Sequence, residues 1–277
     1  MQADFSTPVP RAAGITPQGT AWSLYGKGVP VVLVHGVGMA QDVWPPQINS
    51  LATDYEVLVY DMWGHGKSAL PVGPLTLSQY AQQLVDLLDH LSIAKAHVVG
   101  HSMGALVTLE FALDYPARCH GVVAMNAVFS RTQDQSDLVQ KRAEELLIHG
   151  AQANLNDTMK RWFGCPVDPG CEMAEKLSRN ILEAVNPQGY ARAYKVFATA
   201  DAQHALRLNQ LKPPALFFTG ELDPNSTPAM SHAMAKLVPH AEVIILTGQR
   251  HMMSLTAPDQ VSLVLRDALI NFTEQVL

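Results

Sequence analysis

Short apolar runs rich in β-branched residues alternate along this chain with longer stretches whose apolar positions repeat at helical spacing. Val31-Val32-Leu33-Val34, Val57-Leu58-Val59-Tyr60 and Ala96-His97-Val98-Val99 are short and uniformly apolar, so they read as buried strands. Gly121-Val122-Val123-Ala124-Met125, Pro214-Ala215-Leu216-Phe217-Phe218 and Glu242-Val243-Ile244-Ile245-Leu246 supply later ones. Residues 20–26 and 31–35 read as an opening strand pair, with Gly26-Lys27-Gly28 as its turn. Leu77, Tyr80, Ala81, Leu84, Leu88 and Leu91 follow one helical face behind Thr76 and Gln79, which have the spacing of a capping box. A last helix is predicted from Thr256-Ala257-Pro258-Asp259, with Thr256 as cap and Pro258 in the first turn. It would bury Val261, Val264, Leu265, Ala268, Leu269 and Phe272. Strands alternating with helices predict an α/β fold, with a mostly parallel central sheet flanked by helices.

The alternation stops between residues 128 and 205. That stretch carries no convincing strand and reads as helical throughout. One helix runs from Ser136 to Ile148 and is stopped by Gly150, a second ends at Phe163, and a third runs from Glu172 to Val185.

Composition narrows the class. At 277 residues, with 48% hydrophobic content, the chain can bury a sizeable core, and large α/β folds of this length are ordinary single units. A net charge of −6 argues against nucleic acid as a partner. No apolar run approaches the ~20 residues needed to span a bilayer, so no membrane partner is expected. The start, Met1-Gln2-Ala3-Asp4-Phe5-Ser6, lacks a basic region and an apolar stretch, which argues against a signal peptide. Cys119, Cys165 and Cys171 are odd in number and lack zinc-ligand spacing, so they read as ordinary reduced thiols. A cytoplasmic enzyme acting on a small molecule fits, and self-association into a homo-oligomer stays open.

The chemistry centres on Gly100-His101-Ser102-Met103-Gly104. A strand precedes it and the apolar stretch from Ala105 to Leu113 reads as a helix, so Ser102 sits on a sharp strand–turn–helix junction. In that context Gly-x-Ser-x-Gly is a nucleophile elbow. Its glycines allow strand and helix to approach closely, while the serine holds a strained backbone. A serine hydroxyl needs an adjacent imidazole to take its proton. His251, in the loop between the last strand and the last helix, is the candidate base. No phosphate loop, dinucleotide fingerprint or metal-ligand cluster competes, so neither cofactor nor metal is expected.

Three further segments extend the pattern. They are Val31-Val32-Leu33-Val34-His35-Gly36-Val37-Gly38, the run Asp61-Met62-Trp63-Gly64-His65-Gly66-Lys67-Ser68, and a tail with Gly220-Glu221-Leu222-Asp223 and Gly248-Gln249-Arg250-His251. With the elbow, they make the chain resemble the α/β-hydrolase superfamily over nearly its whole length. Ser102, Asp223 and His251 stand in the chain order this fold uses. The resemblance implies that Asp223 orients His251, its Gly-x-x-Asp spacing favouring Asp223 over Glu221. It implies an oxyanion hole from the backbone N–H groups of Val37 and Met103. His35 takes a structural hydrogen-bonding role, His65 belongs to the Asp61 loop, and His101 points elsewhere by alternation. Asn126 stands at the end of the strand preceding Asp223's, so the alternative acid position of some members is empty. The resemblance also implies a helical cap inserted after the sixth strand. Residues 128–205 are read as that cap, and residues 1–127 and 206–277 as the α/β-hydrolase core. A helical excursion packed away from the serine is the alternative.

A serine at position 102 excludes the branches that use aspartate there. Esterases, lactonases, amidases, carbon–carbon hydrolases of ring-fission products and cofactor-free perhydrolases remain. Arg161-Trp162-Phe163 resembles the Arg-Trp-Phe of enol-lactone hydrolases. Arg131, Arg142, Arg179 and Arg192 add cations enough to bind a carboxylate, unless they pair with Glu144, Glu145, Glu172, Glu175 and Glu183 on a solvated surface. Trp44 and Trp162 either line the pocket or belong to the core. The favoured reading is a cofactor-independent serine hydrolase for a small acyl substrate, such as a carboxylated enol-lactone or an acylated enamine. A ring-fission hydrolase is the enzymatic alternative, and a ligand-binding receptor on the same fold is the alternative of another class.

Overall fold

The computed structural model describes residues 5–150 and 154–274, so residues 1–4 of the chain start and 151–153 of the helical stretch lie outside the described residues. In chain order the elements are β1 (Ala12–Ile15), β2 (Ala21–Tyr25), β3 (Val29–Val34), α1 (Pro45–Leu51), β4 (Tyr55–Tyr60), α2 (Leu77–His90) and β5 (Ala96–His101). There follow α3 (Met103–Asp114), β6 (Cys119–Met125), α4 (Gln133–His149), α5 (Leu155–Phe163), α6 (Glu172–Ala184) and α7 (Pro187–Ala205). The chain closes with β7 (Ala215–Gly220), α8 (Pro228–Leu237), β8 (Glu242–Leu246), α9 (Met253–Thr256) and α10 (Pro258–Glu274).

The strands form one eight-stranded sheet in the order β1-β2-β4-β3-β5-β6-β7-β8. The β1–β2 and β2–β4 pairs are antiparallel and the rest are parallel. The uniformly apolar strands occupy the middle. Every residue of β5 and β7 is buried, whereas β8, at the edge, is only half-buried. This is the expected consequence of covering a parallel sheet on both faces.

The opening strand pair is not a pair. β2 and β3 are joined by the Gly26–Gly28 turn, but β4 lies between them, with Leu58 opposite Leu24 on one side and Val32 on the other. Two extended runs across a glycine turn look like a hairpin in sequence. Here β4, buried at every residue but Glu56, takes the position between them, where both its edges are paired. β1 was not anticipated and is short and mostly exposed.

The predicted helices form, with adjustments at their ends. Thr76 Oγ1 accepts from the Gln79 N–H, but the Gln79 side chain accepts the Thr76 hydroxyl instead of reaching the Thr76 N–H, so half a capping box is made. The complete box is at α4, where Thr132 and Gln135 cap each other reciprocally. Thr256 is not the cap of the last helix: it ends α9, and its hydroxyl donates to Gln249 Oε1 at 2.8 Å. Pro258 opens α10 as expected, and all its predicted core residues are buried except Val264, which is half-buried. Among the described residues no helix is long and apolar enough to cross a membrane.

Helices α4 to α7 lie between β6 and β7, the sixth and seventh strands. α7 packs along α4 and against α3. A buried pair fixes that contact: Glu110 of α3 accepts from His204 of α7 at 3.1 Å, and also from the exposed Ser78 of α2 at 2.7 Å. Burial disfavours the Glu110 carboxylate, but the His204 and Ser78 hydrogen bonds outweigh it and hold its pKa below the usual range.

Candidate active site

Ser102 stands between β5 and α3 with φ 58° and ψ −117°, a conformation few non-glycine residues adopt. The flanking glycines explain how the turn closes. A Cβ on Gly100 would lie 2.2 Å from the Gly104 carbonyl oxygen, and one on Gly104 would lie 2.2 Å from that of Val34. Both contacts are with backbone, so no side-chain movement relieves them.

His251 and Asp223 reach this serine from two other loops. The Ser102 hydroxyl is 3.1 Å from His251 Nε2, and His251 Nδ1 is 2.7 Å from Asp223 Oδ2. With Nδ1–H donating to the carboxylate, Nε2 is free to accept the serine proton. All three residues are buried. Burial opposes ionisation of Asp223, yet the His251 charge, hydrogen bonds from His251 and Asn126, and the Asn225 N–H together hold its pKa below the ordinary carboxylate value. Asn126 Nδ2 donates to the same Oδ2 at 2.8 Å, so the residue at the empty acid position steadies the acid at the neighbouring one. Glu221 points away and accepts the Gly248 N–H at 2.8 Å near the surface.

His101 does point away from the serine's cavity, but it has a task that alternation does not reveal. Its Nε2–H donates to the His251 carbonyl at 2.8 Å, and the two rings lie 4.9 Å apart. Burial, then the neighbouring His251, pull the His101 pKa down to about 3, which leaves the ring neutral. His35 and His65 brace the loop opposite. His35 accepts the Met62 N–H at 2.9 Å and His65 accepts the Gly38 N–H at 3.0 Å. Burial lowers their pKa values to about 4 and about 3.

Val37 follows in this loop and lines the cavity over Ser102. With the Gly38 N–H taken by His65 and the Met39 N–H by the Gly36 carbonyl, the Val37 N–H has no protein acceptor among the described residues. Met103 is the first residue of α3, where helical N–H groups have no intrahelical acceptor. Neither donor can be read from its side chain.

Of the three residues singled out for substrate contact, two reach the serine. Arg161 and Trp162 line its cavity, together with Thr158, Tyr190, Tyr194 and Phe197. The Trp162 ring stacks on His251, with centroids 5.8 Å apart and planes at 26°. Trp44 does not reach it: the side chain is fully buried in the core. The cavity encloses only about 30 Å³, but a second one of about 230 Å³ adjoins it across Arg161, Tyr194 and Phe197, and Arg131 and Arg142 line that one. Arg131 lies 4.5 Å over the Phe197 ring and donates to the Phe197 carbonyl. Burial, then the nearby Arg142 charge, disfavour the Arg161 cation. Arg179 instead pairs with Glu175, and Arg192 donates to the Pro71 carbonyl. No cluster of three or more metal-ligating side chains occurs among the described residues.

Residues 29–258 match the family model for the alpha/beta hydrolase fold. The chain belongs to the α/β-hydrolase family. Within it, this α/β-hydrolase is 34% identical over 240 residues to an (E)-2-((N-methylformamido)methylene)succinate hydrolase of Acinetobacter baylyi, covering 86% of this chain and 89% of that one. It is 28% identical over 229 residues to 3-oxoadipate enol-lactonase 2 of the same organism, covering 82% and 84%. The crystal structure of an enol-lactonase from Burkholderia xenovorans LB400 superposes with a TM-score of 0.86 at 24% identity, over 94% of this chain and 100% of that one, a likeness of fold. The named relatives are hydrolases, which supports hydrolase activity for this chain.

Proposed function

We propose that this α/β-hydrolase is a cofactor-independent serine hydrolase that cleaves a small carboxylate-bearing acyl compound through an acyl-enzyme on Ser102. Ser102 Oγ attacks the acyl carbon while its proton passes to His251 Nε2. Ionised Asp223 stabilises the imidazolium, and the Val37 and Met103 N–H groups receive the oxyanion. Collapse breaks the bond to the leaving oxygen or nitrogen, which takes the proton from His251. Water then attacks the ester carbon, its proton goes to His251, and release of the acid returns that proton to Ser102.

The observation that carries the substrate class is the position of Arg161 on both cavities. It lies between the serine and a chamber also lined by Arg131 and Arg142, so helices α4 to α7 act as a cap that presents cations beside the nucleophile. The Arg142 charge disfavours a second cation at Arg161, a cost that a carboxylate between them would offset. The 34% identical relative is named for a substituted methylenesuccinate bearing an N-acyl group. That favours an acylated enamine over an enol-lactone, with the scissile amide at Ser102 and the carboxylate toward the arginines.

The test compares the parent and Arg161→Ala on one carboxylated and one neutral acyl substrate. A charge-assisted pair contributes about 1.5–3 kcal/mol, so kcat/KM for the carboxylated substrate should fall roughly tenfold to a hundredfold. Hydrolysis of the neutral substrate should hardly change. Equal losses on both would reduce Arg161 to a packing residue and the enzyme to a general esterase.

A further inference from the structure

Trp162 lines the serine cavity, yet its closest described aromatic neighbour is not a substrate wall but the catalytic imidazole itself. The indole and His251 rings lie nearly face to face, 5.8 Å apart at 26°, and both are buried, at 7% and 3% exposure. The other groups facing His251 are accounted for. Asp223 holds Nδ1, Ser102 lies on Nε2, and neutral His101 supports the backbone carbonyl from beneath. Arg161, Tyr190 and Tyr194 line the cavity beyond. Arg250, the preceding residue, is turned outward and holds Asp168 at 2.8 Å, in the loop after α5. This pair ties the segment that carries Trp162 to the segment that carries His251.

An aromatic face within ~6 Å of a cation attracts it, and an indole does so more strongly than a phenyl ring. We infer that Trp162 stabilises the imidazolium that His251 becomes during acyl transfer, acting as a positioning residue through that ring and not only as a cavity wall. The inference rests on His251 being the general base. Asp223 neutralises the imidazolium at its edge, while the indole stacks on its face; the neutral His101 ring lies nearer, at 4.9 Å, but tilted at 53° and hydrogen-bonded to the His251 carbonyl. The cation exists only after Ser102 has given up its proton, so the stabilisation is greater in the transition state than in the resting enzyme.

The sign is testable in two places. Removing the indole destabilises the charged ring, so His251 should hold its proton less tightly, and the acid limb of the kcat/KM profile should move to lower pH. At the plateau, where the ring is already neutral, kcat should fall because the developing cation has lost its support. For Trp162→Leu the expected effects are a downward shift of about half a unit to one unit and a plateau loss of about threefold to tenfold. Trp162→Phe should give intermediate values of both.

The decisive series keeps the shape and removes only the charge on the face. 5-Fluoro- and 5,7-difluorotryptophan inserted at position 162 should lower both quantities stepwise, and this holds even if Trp162→Leu fails to fold. His251 is followed by nitrogen NMR in the substrate-free enzyme, alongside kcat and KM. A rise in KM with an unmoved imidazole titration would overturn the inference and make Trp162 a substrate wall. An unmoved titration with a lowered plateau would overturn it while leaving His251 as the base. A moved titration with an unchanged rate profile would overturn it from the other side, by removing His251 from the reaction.

Discussion

The two regions that meet at Ser102 are built on different principles. On the sheet side, each member of the proposed triad sits where a strand ends: Ser102 after β5, Asp223 after β7, and His251 after β8. A Cβ at Gly100 or Gly104 would come within 2.2 Å of a backbone oxygen, so the elbow closes only with glycine at both positions. On the helical side, between β6 and β7, the groups that face the serine come from helix surfaces. Arg161 and Trp162 belong to α5, and Tyr190, Tyr194 and Phe197 to α7. Their positions depend on how side chains pack. On the proposed function, the first region holds chemistry that a change of substrate need not alter, and the second holds selectivity that a few substitutions can rewrite.

The sharpest way to break this division is to remove the chemistry alone. Ser102→Ala should abolish turnover by roughly 10⁶-fold, and His251→Ala by a similar factor, because the two act as a unit. The loss should fall equally on carboxylated and neutral substrates, unlike that of Arg161→Ala. Circular dichroism and thermal melting of Ser102→Ala should match the parent. More than a few per cent residual activity in the purified variant would remove the serine from the mechanism.

A smaller effect separates the two acids of the β7 loop. Asp223→Asn should lower kcat by up to ~10⁴-fold in a folded enzyme, since the amide cannot balance the imidazolium. Glu221→Gln should leave kcat within about twofold, because that carboxylate only caps the Gly248 N–H in solvent. The reverse order in steady-state kinetics would exchange their roles.

The division should also show in acid. His35, His65 and His101 all belong to the sheet side, and burial holds their pKa values at about 4, about 3 and about 3. The unfolded chain titrates these rings near 6.5, so below that pH the unfolded state binds protons that the folded state refuses. Stability is therefore full above about pH 6.5 and falls as the pH drops toward 4, by up to ~1.4 kcal/mol per unit for each such ring. Denaturant titrations of Ser102→Ala at pH 7.5, 6 and 5 measure this, and a flat midpoint would contradict it. His101→Asn should reduce the slope, while Arg161→Ala should leave it unchanged.

How far the chain could be read in advance follows the same line. The strand-end loops were legible because a buried apolar run that stops at glycine leaves its next residues at the edge of the sheet. Ser102 is legible from the elbow motif and His251 from its loop after the last strand, whereas Asp223 is reached through the Gly-x-x-Asp spacing of the resemblance; the structure brings the three side chains within hydrogen-bond distance. Helices α4 to α6 were legible from their periodicity, and Gly150 does end α4. What depended on neighbours distant in sequence was not legible. The position of β4 between β2 and β3 is a matter of competing edges, and the His101 hydrogen bond spans 150 residues. Trp44 and Trp162 were equal candidates in sequence; one is fully buried in the core and the other lies against His251. Asn126 was noted as the absence of an acid, whereas it donates to the acid that is present.

The 30 Å³ of space over Ser102 also bears on time. That is room for about two water molecules, while the 230 Å³ chamber adjoins it across Arg161, Tyr194 and Phe197. On the proposed reading an acyl compound occupies both at once, so these three side chains have to part to seat it and again to release the acid. Such a parting would limit turnover however reactive the serine is made, and smaller side chains at 194 or 197 should then raise kcat.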